Sequence, residues 1–365
     1  MAAFKLGEEI RGDDGQRYRI GKLLGQGGFG KVYLADQVTA RHKVFGDPVC
    51  VKECTSRLDW LGESYFGELL SANARVVRVQ DAFVSVVSTA RRQSRRYTLV
   101  LEYMAEGTLL DSFDGSESAR WNEKHARAEL VGLLKFLGDM HSKGITHRDI
   151  KPDNVYLKKR KLVLGDFGIS KQRLSSSSGG VSFLNADFSP PDLGLRSWSP
   201  SDDVYQIGLL AISLLTGEVA SALSMRPGAL KNLRATDDFK SWLWHALGDR
   251  PNRFSDADDA LDALVSRSLV GVTKAPPKSL ADHNIVFTGR LPDMVRTDAA
   301  KRARAAGADV QDDVNGQTTI VVRGSLAATL GSSEGTKLFS VRERVRRGQR
   351  IRVISPAQFA KALGV

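Results

Sequence analysis

The stretch His147-Arg148-Asp149-Ile150-Lys151-Pro152-Asp153-Asn154, followed shortly by Asp166-Phe167-Gly168, concentrates the chemistry of this chain. One short span supplies a carboxylate to orient a hydroxyl, a cation to meet a transferring phosphate, and two oxygen ligands for magnesium. Few chemistries other than phosphoryl transfer need that set in that order. Singly these residues are ordinary; jointly they point to a site.

Such a site needs elements that hold a nucleotide. Upstream lies Gly25-Gln26-Gly27-Gly28-Phe29-Gly30-Lys31-Val32, where missing Cβ atoms let backbone approach phosphates. A G-x-G-x-x-G run also serves dinucleotide-binding folds, where it opens into a helix. Here Lys31-Val32-Tyr33-Leu34-Ala35 alternates and is β-rich, so the glycines belong to the tip of a hairpin. Val49-Cys50-Val51-Lys52 follows, a short apolar strand ending in a lysine.

Taken together, these segments resemble the protein kinase family, residue for residue in the catalytic loop and metal motif. The resemblance implies a bilobal α+β fold with a β-rich N-lobe (about 15–103) and a helical C-lobe (about 104–270), after an N-terminal extension at 1–14. It implies ATP with magnesium or manganese as cofactors. Gly25, Gly27, Gly28, Gly30, Val32 and Cys50 would enclose the nucleotide, Cys50 standing where alanine is usual. Lys52 would hold the α- and β-phosphates and pair with a glutamate on the next helix. Glu68 is the expected partner, because it precedes Arg75-Val76-Val77-Arg78-Val79, which looks like the family's next strand; Glu63, about a turn earlier, is the alternative. Backbone groups of Glu102 and Met104 would bond adenine, with Leu101 limiting the pocket behind it. Asp149 would orient the substrate hydroxyl, Lys151 would neutralise the γ-phosphate, and Asn154 and Asp166 would hold the metal. Lys151 resembles serine/threonine rather than tyrosine kinases.

Arg148 usually meets a phosphate on the activation segment, so the serine-glycine run there supplies candidate autophosphorylation sites: Ser175, Ser176, Ser177, Ser178 and Ser182. Two departures stand out. Pro190-Pro191-Asp192 replaces Ala-Pro-Glu, with Arg253 placed to pair with Asp192, and Asn185 falls where a threonine normally bonds the catalytic aspartate. Asp203 matches the family's structural aspartate at the start of a buried helix.

Size and composition fit this reading. The 365 residues suffice for two domains, and 42% hydrophobic with 26% charged residues is the composition of a globular protein. The first ten residues carry Glu8 and Glu9 and no long apolar core, and the most apolar run, Ile207 to Leu215, is too short to span a bilayer. A cytoplasmic enzyme with no membrane partner is expected. The only cysteines, Cys50 and Cys54, would lie roughly 13 Å apart on one strand, too far for a disulfide. The net charge of +11 favours anionic partners.

Pro276-Pro277 marks a linker over 271–281. Beyond it the pattern reads strand, helix, strand, strand, helix, strand, helix, and Pro356 opens the last helix in its first turn. Phe287-Thr288-Gly289, Ala306-Gly307-Ala308, Thr319-Ile320-Val321-Val322, Gly335-Thr336-Lys337 and Ser355-Pro356-Ala357-Gln358-Phe359 resemble a BRCT domain over 282–365, with Phe359 where many members carry tryptophan. That implies a small α/β domain, a parallel sheet flanked by helices. Phosphate-binding members use a hydroxyl, a backbone N–H and a lysine, at positions matched here by Thr288, Gly289 and Lys337. Arg342, Arg344, Arg346, Arg347, Arg350 and Arg352 crowd one segment, a solvated face or a contact for DNA or phosphoprotein.

The expected whole is a serine/threonine protein kinase whose C-terminal module targets phosphoprotein or DNA, with self-association open. A pseudokinase scaffold, or an adaptor binding DNA ends or phosphoproteins, is the alternative.

Overall fold

The computed structural model describes residues 4–364 apart from 29, 90–91, 114–115, 169, 173–184, 195–196, 226–228, 251, 266–276, 290, 293 and 325–332. Its two compact units are Met1–Ser224 with Asp249–Asp259, and Met225–Gly248 with Ala260–Val365. Much of the expected linker lies outside the described residues, as do Ser175 to Ser178 and Ser182.

The first unit begins with a six-stranded antiparallel sheet in the order β1-β2-β3-β4-β6-β5. The strands are β1 (Glu9–Arg11), β2 (Arg17–Gly27), β3 (Gly30–Val38), β4 (Val49–Cys54), β5 (Val79–Thr89) and β6 (Arg92–Glu102). Alternation along β4 divides the labour. Val49 and Val51 are fully buried in a cluster with Ile20, Tyr33 and Phe83 on one face, while Cys50 and Lys52 line a cavity on the other. The N-terminal residues, expected as an extension, belong to this lobe. β1 pairs with β2, and Phe4 packs edge-on against Tyr33 at 5.6 Å beneath the Arg96 guanidinium. In the segment 75–78, expected in the next strand, Arg75 and Val77 instead hydrogen-bond to Leu164, the Arg78 carbonyl accepts from the Glu102 N–H, and β5 starts at Val79.

Helix α1 (Arg57–Leu69) crosses this sheet, capped by Ser56, whose hydroxyl accepts from the Asp59 N–H. The helical lobe is built on α2 (Glu123–Ser142) and, after the short β7 (Ile145–Thr146), β8 (Val155–Lys158), β9 (Lys161–Leu164) and β10 (Lys171–Gln172), on α3 (Pro200–Thr216). α3 is buried along almost its whole length. A Ser199/Asp202 capping box with Pro200 in the first turn starts it, and Gly217 at φ 69° stops it.

The second unit contains α4 (Asp237–Leu247), most of α5 (Ala257–Val265) and a four-stranded parallel sheet ordered β12-β11-β13-β14. In chain order its elements are β11 (Asn284–Thr288), α6 (Arg296–Ala305), β12 (Asp309–Gln311), β13 (Ile320–Arg323), α7 (Ser333–Arg346), β14 (Arg352–Ile354) and α8 (Pro356–Ala362). That is the order read from the sequence, with α6 capped by Val295. Strand residues alternate between two apolar clusters, so both faces of the sheet are covered, as parallel sheets require. Phe359 of α8 is buried edge-on against Phe287 at 5.2 Å, the aromatic anchor expected there. On the opposite face α7 packs against α4, with Arg342 bonded to Asp238 at 2.9 Å. Arg342 is therefore turned inward, and the arginine-rich segment is not one solvated face.

Candidate active site

A cavity of about 600 Å³ opens between the sheet and the helical lobe of the first unit. Gly25, Gly27, Gly30, Val32, Cys50, Lys52, Glu102 and Met104 all line it, while Gly28 stands exposed at the hairpin turn. Gly30 is irreplaceable: at φ 139° an added Cβ would lie 2.0 Å from the Glu53 carbonyl oxygen. Gly25, Gly27 and Gly28 have open space instead, which leaves their backbone accessible to a ligand.

Lys52 reaches inward and bonds Glu63 at 2.6 Å, not Glu68. The expectation of Glu68 was wrong because of helix phase. Five residues turn α1 by about 140°, so Glu63 points to β4 while Glu68 is exposed. Burial pushes the Glu63 carboxyl up to about 7 against the opposing pull of Lys52. Lys52 is held firmly protonated, its own burial outweighed by Glu63 and Asp166, the latter at 3.5 Å.

Asp149 accepts from Lys151 at 3.1 Å and from the Asn154 amide nitrogen at 2.7 Å. Asn154 also donates to the Asp149 carbonyl, so its amide nitrogen is committed, and among the described residues its side-chain oxygen has no donor. That oxygen and the Asp166 carboxylate are the donor chemistry a hard cation takes. Among the described residues no group of three His, Cys, Asp or Glu side chains could hold a metal alone. This suits a divalent ion shared with nucleotide phosphates. Asp166 sits at φ 56°, and Phe167 behind it is buried against His147 with ring centroids 4.8 Å apart.

The loop is held from below by Asp203. Wholly buried, it accepts from the backbone N–H of His147 (2.8 Å) and Arg148 (3.0 Å), from the Trp198 indole (2.8 Å) and from His141 (3.0 Å). His141 Nδ1 accepts from the Ala257 N–H, so Nε2 carries the proton given to Asp203. Those bonds hold the Asp203 carboxyl below its usual range despite burial. Arg253 bonds Asp192 at 2.7 Å and Asp202 at 2.9 Å, which preserves the ion pair expected across the Pro-Pro-Asp departure. Asn185 caps a short turn by accepting from the Asp187 N–H, so Asp149 relies on Lys151 and Asn154. The half-buried Arg148 guanidinium donates to the Thr146 hydroxyl at 3.3 Å.

Residues 18–269 match the model of the protein kinase domain, more than half of the chain. The chain belongs to the protein kinase family. Residues 275–345 match the BRCT domain, named for the BRCA1 C terminus. Serine/threonine-protein kinase PknA of Nostoc sp. is 29% identical over 289 residues, covering 72% of this chain and 48% of that protein. Serine/threonine-protein kinase C of Synechocystis sp. is 29% identical over 220 residues (57% and 40%), and human ribosomal protein S6 kinase alpha-3 is 26% identical over 209 (56% and 27%). The chain thus spans less than half the length of these relatives.

Several lining residues of this kinase cleft carried no clear sequence signal. Tyr156 forms part of the wall and is packed so closely that a Cβ on Gly165 would lie 2.7 Å from its ring. Burial pushes its phenol up to about 12, which keeps the hydroxyl protonated. Asp111 lines the mouth and accepts from the Thr108 N–H and hydroxyl, both at 2.8 Å. Among the described residues no helix is long and apolar enough to cross a membrane.

At the C-terminal edge of the second unit's sheet, Thr288 is fully buried and its hydroxyl has no hydrogen-bond partner among the described residues. Gly289 follows at φ 78°, its carbonyl accepting from Arg296 at 3.0 Å. Lys337 donates to the Asp312 carbonyl and stands 3.8 Å from the Asp313 carboxylate. Strand pairing of Val286 with Gln311 puts Asp312 and Thr288 at the same end of adjacent strands.

Proposed function

We propose that the chain transfers the γ-phosphate of ATP to serine or threonine hydroxyls of proteins, itself included, and that its BRCT domain binds a phosphorylated protein. One observation carries the catalytic half: Asp149 is flanked by Lys151 and Asn154, beside a cavity whose inner wall holds the Lys52–Glu63 pair and Asp166. Asp149 takes the hydroxyl proton, Lys151 meets charge on the moving phosphoryl group, and Lys52 holds the nucleotide's inner phosphates. Asn154 and Asp166 would hold magnesium, which when bound neutralises charge between the phosphates. Phosphate transfer from labelled ATP to the chain and to a generic protein acceptor tests this. Label that persists in Asp149→Ala would sink it, and absence of transfer by a folded, nucleotide-binding wild type would leave a scaffold instead.

Arg148 supports capture of a phosphate on Ser175, Ser176, Ser177, Ser178 or Ser182, because among the described residues its guanidinium bonds only a neutral hydroxyl. Mass mapping after incubation with ATP reads this directly. For the BRCT domain, the unpartnered Thr288 hydroxyl favours phosphate over DNA, with Gly289 and Lys337 completing the set. Anisotropy titrations of the full chain with phosphorylated and unphosphorylated peptides and with duplex DNA separate these ligands; binding to DNA alone, steep in salt, would overturn the phosphopeptide reading.

A further inference from the structure

The wall of the cleft carries a polar group that the catalytic reading leaves unused. Along β8, Val155 turns into the core of the lobe, so Tyr156, the next residue, faces the cavity. Its ring packs with Val77, Leu101, Met104 and Val163. Leu101 and Met104 belong to the segment expected to hold adenine, so Tyr156 stands where a base would lie. Space for the ring is left by Gly165, just after β9. A Cβ there would meet the ring at 2.7 and 3.2 Å and the Val77 side chain at 3.1 Å. A ring packed against Val77 has no free end to swing away, so Tyr156 and Gly165 work as a pair.

A ring alone would serve shape, but the hydroxyl adds chemistry. Among the described residues it makes no hydrogen bond. Burial raises the phenol most, the Asp166 charge raises it further, and Lys52 opposes both. The O–H is therefore a neutral donor, set toward the inner wall that carries Lys52, Glu63 and Asp166. Val32, Val77, Leu101 and Met104 give the surrounding recess apolar surface. A ligand that fills such a recess must offer the hydroxyl an acceptor or bury it unmet.

We propose that Tyr156 is a specificity-determining residue for the nucleotide, its hydroxyl donating to N7 of the purine base. The inference rests on the kinase reading of the cleft and deepens it. Once Glu102 and Met104 engage the pairing edge of adenine, the remaining edge, with N6 and N7, turns toward the inner wall. The N6 amino group only donates, so N7 is the acceptor an O–H can meet. Main-chain groups thus read one edge of the base, and a side chain reads the other.

Isothermal titration of the full chain with magnesium-ATP and with magnesium-7-deaza-ATP, in which a C–H replaces N7, reads the contact directly. The wild type should bind ATP roughly tenfold more tightly than the deaza analogue, the scale of one hydrogen bond left unmade. Tyr156→Phe keeps the ring and removes the donor, so the two nucleotides should then bind within about twofold of each other. Gly165→Ala should weaken both together by roughly tenfold or more, because the ring is driven into the cavity. Adding Tyr156→Leu to Gly165→Ala should recover most of that loss. Equal affinities in the wild type, or a preference that survives in Tyr156→Phe, overturn the proposal and leave the kinase reading intact. A Gly165→Ala variant that binds both nucleotides normally overturns it equally, since the ring would not fill that space. A wild type that binds neither nucleotide overturns the kinase reading and this inference with it.

Discussion

The catalytic cleft and the C-terminal edge of the BRCT sheet are the two places proposed to meet a phosphate, and they are prepared for it differently. In the cleft, Lys52 has Glu63 and Asp166, and Asp149 has Lys151 and Asn154, before any nucleotide arrives. At the BRCT edge, Lys337 is held by a main-chain carbonyl and the Thr288 hydroxyl is buried with no partner among the described residues. A group left so costs about 1–3 kcal/mol. On the proposed reading the cleft stores preorganised charge for catalysis, whereas the edge carries an unmet donor that a ligand would satisfy.

If that contrast is right, removing charge from the cleft is the largest insult to function. Lys52→Ala and Asp166→Ala should each lower phosphoryl transfer by roughly 10³-fold or more, the scale of a lost preorganised electrostatic contact. Peptide binding by the BRCT domain should not change in either variant. Retained transfer would show that these charges position nothing.

Stability separates the regions next. Arg253 is buried against two carboxylates, so Arg253→Ala leaves Asp202 without its cation in the interior. A cost of about 3–5 kcal/mol in denaturant unfolding is expected. Thr288→Val should do the reverse. It removes an orphaned hydroxyl, so stability should hold or rise by about 1 kcal/mol, while phosphopeptide affinity drops. Lys337→Ala should weaken the same binding roughly tenfold, the worth of one charge-assisted bond, and leave transfer intact. If Thr288→Val destabilises the chain, the hydroxyl has a partner and the edge is not waiting for a ligand.

The two regions were also unequally legible in the sequence. The catalytic loop is contiguous, so residue order alone conveyed its chemistry, and the seven elements of the C-terminal module came from periodicity and punctuation by glycine and proline. Helix α1 was not readable in that way. Apolar periodicity would bury Leu58, Leu61, Tyr65 and Leu69, yet those residues are exposed, and the helix turns Glu63, Phe66 and Gly67 inward. The usable signal was Gly67, where a Cβ would lie 2.1 Å from the Val79 side chain. It marks the face pressed on the sheet and so favours Glu63 over Glu68. The N-terminal residues escaped for another reason: a single phenylalanine and a three-residue strand carry no pattern, and only the Tyr33 and Arg96 pocket gives Phe4 a place.

The finest test of a cleft organised by mutual charge is its response to pH. Burial lifts the Glu63 carboxyl from 4.5 in the open to about 7, so protonation near neutrality removes the counter-charge that aims Lys52. Transfer should fall by a few-fold as pH drops from about 7.5 to 6.5. Linkage gives stability the opposite sign. The folded state holds a proton on Glu63 that the unfolded chain releases between about 4.5 and 7, so this group's contribution to stability grows as pH falls through that window. Glu63→Gln separates the group from the titrating nucleotide: activity should be low and its acid limb flattened, with the pH dependence of unfolding reduced over the same interval. A Gln variant that keeps the wild-type acid limb would assign the titration elsewhere, and the Lys52–Glu63 pair would then be charged throughout the working range.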